Sequence, residues 1–148
     1  MSGPSNQQLD VELLRQIIEE MIPLNKFLGL KLESCDLAGF RVSTRLAQRP
    51  EFIGNPIRQM AHGGIISFLI DATAGAAAAL SVSDTSSIDK IATIDMRVDY
   101  LKPAKGSALL ATAAVVHSGS RVIVVRSDVF DDLGSLVALG SNVFNVAR

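Results

Sequence analysis

The chain has 148 residues, 48% of them hydrophobic and 20% charged, and a formal net charge of −1. This composition excludes a disordered chain and fits one compact domain with a sizeable core. The near-neutral charge excludes a protein that binds nucleic acid through a generally basic surface. It also excludes a basic tail that would hold the chain on a membrane. One cysteine and two histidines cannot form an intramolecular disulfide or an ordinary structural zinc site, so no metal is expected.

The first elements in chain order are a polar arm and an amphipathic helix. Residues 1–9 carry no apolar signal-peptide core, which predicts a flexible arm and a cytoplasmic protein. Asp10 is a candidate N-cap for a helix over 11–22. Pro23 ends that helix, because the residue before a proline avoids the helical region. Residues 10–148 are predicted to form a single domain.

Two short strands and a loop come next. The strand-like runs cover 28–36 and 40–46, with Gly39 in the turn between them. Two prolines and a glycine within 47–60 indicate a loop.

The segment from His62 to Ser81 is predicted to be a long apolar helix. It is long enough to suggest a membrane span, but Asp71 lies in its middle and no strongly basic flank marks a cytoplasmic side. We therefore interpret it as the core helix of a soluble protein, covered on all faces. A polar loop over 82–90 follows it.

From Ile91 onward the hydrophobic period changes from helical to two, which is typical of a half-buried strand. In this pattern Thr93 belongs to the polar face. The apolar face consists of Ala92, Ile94, Met96, Val98 and Tyr100. Three more strands are predicted over 108–117, 121–130 and 135–146, joined by compact hairpin turns. This element order predicts an α+β fold in which one antiparallel sheet curls around the central helix.

Asp71 and the run His62-Gly63-Gly64 are the candidates for chemistry. An isolated carboxylate in an apolar helix is either structurally paired or functional. Two glycines at a helix start expose first-turn N–H groups that can polarise a carbonyl. The structural alternative is a helix start made flexible by glycine, beside a packed histidine. His62 and Asp71 are nine positions apart, about 13 Å along a helix axis. A site that uses both therefore requires two chains related by a two-fold axis.

The run FIGNPIRQMAHGGIISFLIDATAGA resembles the signature of the PaaI-like hotdog-fold thioesterases. In that family a loop bearing Asn and HGG leads into the central helix, and an acidic residue follows nine positions after the histidine. The later stretches ATIDMRVDYLKPAKG and SGSRVIVVRSDVFDDLGSLVALGSNVF resemble the family's strands, so the resemblance covers about residues 24–146. It implies a hotdog fold, a homodimer or dimer of dimers with active sites between subunits, and hydrolysis of acyl- or aryl-CoA thioesters. It implies no cofactor apart from the coenzyme A of the substrate.

The resemblance also implies a role for each matching residue. Asp71 matches the acidic residue that acts as nucleophile or general base on water. Gly64, or its neighbour Gly63, matches the helix-start N–H that polarises the thioester carbonyl. His62 matches the histidine that shapes this turn, and Thr93 matches a hydroxyl near the acid that could orient water.

Asn55 resembles the loop asparagine that assists the carbonyl or positions water. It lies seven residues before His62, where six is common in the family.

The phosphates of coenzyme A need cations or free N–H groups. Candidates at the ends of the predicted strands are Lys102, Lys105, Ser118, Gly119, Ser120 and Arg121. The alternative for the lysines is a solvated strand end. The acyl tail is expected to contact residues such as Phe68, Phe52, Ile53 and Met96.

Three functions compete at this point. The first is an acyl-CoA thioesterase, and the second is a non-catalytic acyl or acyl-CoA binding module on the same fold. The third is a hydratase or dehydratase. The spacing of the HGG run and Asp71 does not reproduce the arrangement of acidic and histidine residues in those enzymes. The intact Asp71 favours the thioesterase.

Overall fold

The structure of the chain, a computed structural model, describes residues 9–82 and 85–146. The predicted flexible arm over 1–8 lies outside the described residues. Leu9, the last residue of that predicted arm, packs against the hydrophobic core. The cytoplasmic location stays a prediction.

The N-terminal region consists of two short helices joined by a π-helical turn. Helix α1 spans Val11–Gln16, and Asp10 caps it as predicted by accepting an N–H of the first turn at 2.7 Å. The π-helical turn spans Ile17–Met21. The break at Pro23 is confirmed, but the proline also begins a second helix, α2 (Pro23–Leu28), that the sequence pattern did not predict. Its fixed φ suits a first helical position.

The strands, in chain order, are β1 (Lys31–Asp36), β2 (Arg41–Ala47), β3 (Ile53–Asn55), β4 (Met60–Ala61), β5 (Ala92–Tyr100), β6 (Ala108–Ser118), β7 (Val122–Asp131) and β8 (Leu136–Asn145). Six of them form one antiparallel sheet in the order β1-β2-β6-β7-β8-β5, and β3 pairs with β4. The predicted strand over 28–36 begins later than expected because α2 continues to Leu28.

Residues 47–60, predicted as a loop, are partly ordered into regular structure. A 3₁₀ turn at Pro50–Phe52 leads into the β3-β4 hairpin. Gly54 lies directly against His62, where an added Cβ would approach the His62 Cα to 2.7 Å. The hairpin can therefore sit this close to the start of the next helix only because position 54 has no side chain.

Helix α3 (Gly63–Leu80) is the long central helix, as predicted, and it packs across the sheet. Small residues make this approach close: an added Cβ on Gly140 of β8 would lie 2.5 Å from the Ile70 side chain. The expectation that all faces are covered is wrong for the single chain. A stripe through Gly64, Phe68 and Asp71 remains partly or fully exposed. The helix has the length and hydropathy of a membrane span, but its other faces form the protein core.

Two features after α3 correct the sequence-based expectations. The predicted polar loop contains a 3₁₀ helix, Thr85–Lys90. In β5 the predicted alternation breaks at a bulge between Thr93 and Asp95, which leaves Ile94 60% exposed. The bulge turns Thr93 to the side that faces α3, so it does not lie on the outer polar face as predicted.

Candidate active site

The Asp71 carboxylate lies in the middle of α3 and is held through one of its two oxygens. Oδ1 accepts a hydrogen bond from the Thr93 hydroxyl at 2.8 Å and another from the Asn142 amide at 3.0 Å. The other oxygen, Oδ2, has no hydrogen-bond partner among the described residues. The predicted proximity of Asp71 and Thr93 is thus observed as a direct contact.

Asn142 is a site residue that the sequence interpretation missed. It lies on β8 and is completely buried. Its neighbours on the inward face of this strand, Gly140 and Phe144, are apolar and also buried. A polar residue at an inward strand position is a signal that could have identified it, but its partner lies 71 positions earlier in the chain.

An apolar cavity of about 360 Å³ opens beside Asp71. One wall is α3, from Phe68 to Ala79, and the opposite wall comes from α1, the π-helical turn and α2. Between these positions the α3 wall is made of the small residues Ala72, Gly75 and Ala76. Of the four residues expected to contact the acyl tail, only Phe68 lines this cavity. Phe52 is a core residue, Ile53 lines a different cleft, and Met96 packs against the core.

The start of α3 is organised by His62. Its Nδ1 accepts the Gly64 N–H at 2.8 Å, and its carbonyl oxygen accepts the N–H groups of Ile65 and Ile66. The Gly64 N–H, predicted to polarise the carbonyl, is therefore already used within the chain. The Gly63 N–H has no partner among the described residues.

Tyr100, at the end of β5, fixes the same turn from the other side. Its hydroxyl donates to the Gly63 carbonyl oxygen at 3.0 Å and lies 2.5 Å from the Ser67 hydroxyl. Its ring would be 3.2 Å from a Cβ added to Gly63. The strand pattern placed Tyr100 on the apolar face of β5, and this contact was not predicted from it.

Asn55 has a local role in the loop before α3. Its side-chain oxygen accepts the N–H groups of Ile57 and Arg58, at 3.1 and 3.0 Å, which closes a tight turn. Its amide nitrogen has no partner among the residues that the structure describes. The oxygen is thus occupied, and the amide N–H groups remain the part that can contact a ligand.

Asp71 and the Gly63 N–H belong to different surfaces of one chain. They are eight residues apart, about 12 Å along the helix axis. Asp71 lines the apolar cavity, whereas Gly63 lines a separate depression together with Tyr100 and Lys102. One thioester carbonyl cannot contact both within a single chain.

The residues predicted to bind phosphates do not form one cluster. Lys102 lies beside Gly63, and Lys105 lines a cleft with Arg58 and Arg49. The hairpin over 118–121 is at the other end of β6, and Ser118 contacts Ser81 at the end of α3. A strand of 11 residues is about 36 Å long. The two groups are therefore too far apart to act together within one chain.

The cations of that cleft differ in how firmly they are bound to the protein. The Arg49 guanidinium donates to the Phe27 carbonyl oxygen at 2.7 Å and stacks on the Phe52 ring at 4.8 Å. Arg58 and Lys105 have no ion pair among the described residues. Within residues 9–82 and 85–146, no group of three or more His, Cys, Asp or Glu side chains is arranged to hold a metal ion.

The chain is similar to known proteins in both sequence and structure. The profile of a family described as the thioesterase superfamily matches residues 59–138. A curated relative, the medium/long-chain acyl-CoA thioesterase YigI of Salmonella typhimurium, is 29% identical over 142 residues, which cover 89% of this chain and 90% of the relative.

Two solved structures are similar to most of the chain. The crystal structure of a Shewanella oneidensis protein related to the thioesterase superfamily has a TM-score of 0.81 and 29% identity, with 93% of this chain and 95% of that chain covered. A Bacillus halodurans protein crystallised with CoA has a TM-score of 0.64 and 34% identity, with 70% of this chain and 66% of that chain covered.

Proposed function

The chain belongs to the thioesterase superfamily, and from that premise we propose that it hydrolyses medium-chain acyl-CoA thioesters to the free acid and CoA. One observation carries this proposal: the Asp71 carboxylate lies at the wall of an apolar cavity, held by its Oδ1 and with its Oδ2 unpartnered among the described residues. Such a carboxylate can attack a carbonyl or remove a proton from water.

Asp71 Oδ2 is the reactive oxygen in this proposal, and two routes lead to the same products. As a general base, Oδ2 removes a proton from water, the hydroxide adds to the thioester carbonyl, and the C–S bond breaks. As a nucleophile, Oδ2 itself adds to the carbonyl carbon, CoA leaves as the thiolate, and water hydrolyses the resulting anhydride. In both routes the CoA thiolate finally takes a proton. Neither route requires a metal or a redox cofactor.

The Gly63 N–H is the proposed donor to the thioester carbonyl. It is a first-turn N–H of α3, and the positive end of the helix dipole reinforces it. Gly64 is less suitable because its N–H is donated to His62 Nδ1. His62 thus shapes the turn, and the Asn55 amide, in the neighbouring loop, is available as a second donor.

The complete site is proposed to form between two copies of the chain. The separation of Asp71 from Gly63 requires that the two groups come from different subunits. β5 is an edge strand of nine residues, and an unpaired edge of this length is a template for pairing. Pairing two copies through β5 about a two-fold axis would extend the sheet and cover the exposed stripe of α3.

The apolar cavity is proposed to hold a straight acyl chain. From Asp71 to Ala79 the α3 wall is about 12 Å long. An extended chain of single bonds advances about 1.2 Å per bond, as in an extended polypeptide. The cavity wall therefore matches roughly ten carbons. The name of the relative YigI, a medium/long-chain thioesterase, supports the same class.

The CoA phosphates are proposed to contact Arg58 and Lys105, with Lys102 nearer to the carbonyl site. These side chains lie on the Gly63 side of the chain, which is the half that would receive the leaving thiol. The hairpin over Ser118–Arg121 can join them only if a second chain brings it there.

The test is thiol release from straight-chain acyl-CoAs of 4 to 16 carbons, comparing the native protein with Asp71→Asn. The substitution keeps the size of the side chain and removes the base, and we expect kcat to fall roughly 100- to 10,000-fold. Asp128→Asn, on the exposed face of β7, is the matched control and should remain fully active.

Thermal melting and size-exclusion chromatography must show that both variants remain folded and keep the native oligomeric state. Full activity of Asp71→Asn contradicts the role of Asp71. Binding of acyl-CoA without any thiol release contradicts hydrolysis and favours the acyl-CoA binding module.

A further inference from the structure

We propose that Asn142 is a positioning residue for catalysis, which holds Asp71 Oδ1 and thereby directs Oδ2 to the substrate. This inference rests on the proposed function. Asn142 does not line the cavity beside Asp71, and it reaches the reacting atoms only through the 3.0 Å hydrogen bond to the Asp71 carboxylate. It therefore acts on Asp71 and does not contact substrate.

The orientation of the Asn142 amide is set by the carboxylate. An ionised carboxylate only accepts hydrogen bonds, so the amide must present its Nδ2 to Asp71. Its Oδ1 then points away and has no hydrogen-bond partner among the described residues, although it is fully buried. A protonated carboxyl group would not need this orientation. The orientation of the amide therefore suits a carboxylate acceptor, which is the form of Asp71 that both proposed routes use.

The unpaired Oδ1 argues against a purely structural role for Asn142. A buried acceptor without a donor destabilises the folded state, whereas an apolar side chain of the same size would not. The neighbouring inward positions of β8 are occupied by Ala138, Gly140 and Phe144, so the surroundings suit an apolar residue. Among the described residues, the hydrogen bond to Asp71 is the only one that the Asn142 side chain makes.

Asn142 and Thr93 bind the same oxygen but are anchored differently. Thr93 lies on the edge strand β5, beside the bulge, and is exposed. Asn142 lies on β8, which is paired on one side with β7 and on the other with β5. The buried amide, on a strand paired on both sides, is therefore the more firmly anchored of the two donors to Asp71 Oδ1.

The test compares the native protein with Asn142→Leu, using acyl-CoA hydrolysis over a range of pH. Loss of one hydrogen bond to a charged group predicts a fall in kcat of roughly 10- to 100-fold. KM should stay within twofold of native. The acid limb of the kcat/KM profile should move to higher pH, since the carboxylate loses a donor. The melting temperature should be unchanged or higher, because the unpaired Oδ1 is removed.

Ser127→Ala is the matched control. Ser127 is buried on β7, and its hydroxyl likewise lacks a partner within residues 9–82 and 85–146, but no hydrogen bond joins it to Asp71. This variant should keep native kcat and the native pH profile. If Asn142→Leu does not fold, Asn142→Ala tests the same point: its stability should fall because a void forms, but kcat and the acid limb should still change as for Leu.

Two results would overturn the inference. One is native kcat and an unmoved pH profile in a folded Asn142 variant. The other is a fall in kcat that follows the loss of stability while the acid limb does not move, which is the signature of a structural residue. Both require that the native protein is active and that Asp71→Asn is not. An inactive native protein, or an active Asp71→Asn, contradicts the proposed function instead.

Discussion

The two parts of the candidate site lie on one helix and are held in different ways. At the start of α3, backbone and ring contacts leave no space: Cβ atoms added to Gly54 and Gly64 would lie 2.7 and 2.9 Å from His62 atoms. At Asp71, the position depends on hydrogen bonds from Thr93 and Asn142, and an open apolar cavity lies beside it.

This difference separates two kinds of constraint. The start of α3, which is proposed to present an N–H to a carbonyl, has no room for a side chain at Gly54 or Gly64, so even a methyl group at either position should disturb it. The region around Asp71 should tolerate changes of side-chain volume in its cavity, but not the loss of the hydrogen bonds from Thr93 and Asn142. The start of α3 is proposed to polarise the thioester carbonyl. The region around Asp71 is proposed to supply the attack on that carbonyl and to select the acyl chain.

The largest expected effect comes from a heterodimer in which one chain is altered at the start of α3 and the other at Asp71. Gly63→Pro removes the proposed N–H donor, yet proline suits a first helical position, and His62 already has the extended backbone (φ −64°, ψ 136°) that a following proline requires. Gly63→Pro and Asp71→Asn should each be nearly inactive alone. A purified heterodimer of the two should regain about half of the native activity, because one of its two sites is intact.

Separately tagged chains and tandem affinity purification would isolate this heterodimer, and each variant homodimer serves as its control. A heterodimer that stays inactive would show that both groups act within one chain. A Gly63→Pro homodimer with native activity would instead remove Gly63 from the site.

The next effect is on chain-length selection. Gly75 lies about 6 Å beyond Asp71 along α3, and a Cβ there would meet only the Phe144 ring, at 3.8 Å. A leucine at this position should fill the cavity after roughly five carbons. We expect Gly75→Leu to lower kcat/KM for decanoyl-CoA roughly 100-fold and to leave butanoyl-CoA hydrolysis nearly unchanged. An equal loss for both substrates would mean that the acyl chain does not enter this cavity.

A smaller effect distinguishes the two halves by stability alone. Gly54→Ala should destabilise the protein by about 1–3 kcal/mol, because the new methyl group meets the His62 backbone. Gly75→Ala should stabilise it by about 0.5–1 kcal/mol, since alanine favours a helix and the space is open. Urea unfolding of both variants measures the two values. The same sign for both would contradict the contrast drawn between the two regions.

The same contrast explains how much of each region could be predicted from the sequence. The start of α3 is local: His62, Gly63 and the helix lie in one run, and the N-cap is adjacent to the residues it caps. Sequence patterns therefore predicted this element and most of the sheet. They could not decide between Gly63 and Gly64, because that depends on which N–H the His62 ring accepts.

The partners of Asp71 are not local, and they were harder to predict. Thr93 and Asn142 are 22 and 71 positions away. A strict period of two placed Thr93 on the polar face of the strand, and its position near Asp71 was implied only by the family resemblance; the bulge in β5 turns it towards the helix. Helix α2 was missed because Pro23 is both a helix stop and a good first residue. The cavity beside Asp71 depends on that missed helix.

The smallest expected effect concerns Cys35, which belongs to neither half. It lies on β1, at the opposite edge of the sheet from β5, about 24 Å away across five strand spacings. Burial, and to a lesser degree the charge of Asp36, raises the pKa of the Cys35 thiol. Because the thiolate is the reactive form, alkylation by iodoacetamide at pH 7 to 8 should be slower in the folded protein than in urea. Cys35→Ser should keep native kcat/KM. Loss of activity on alkylation would contradict a site that consists of the start of α3 and the region around Asp71.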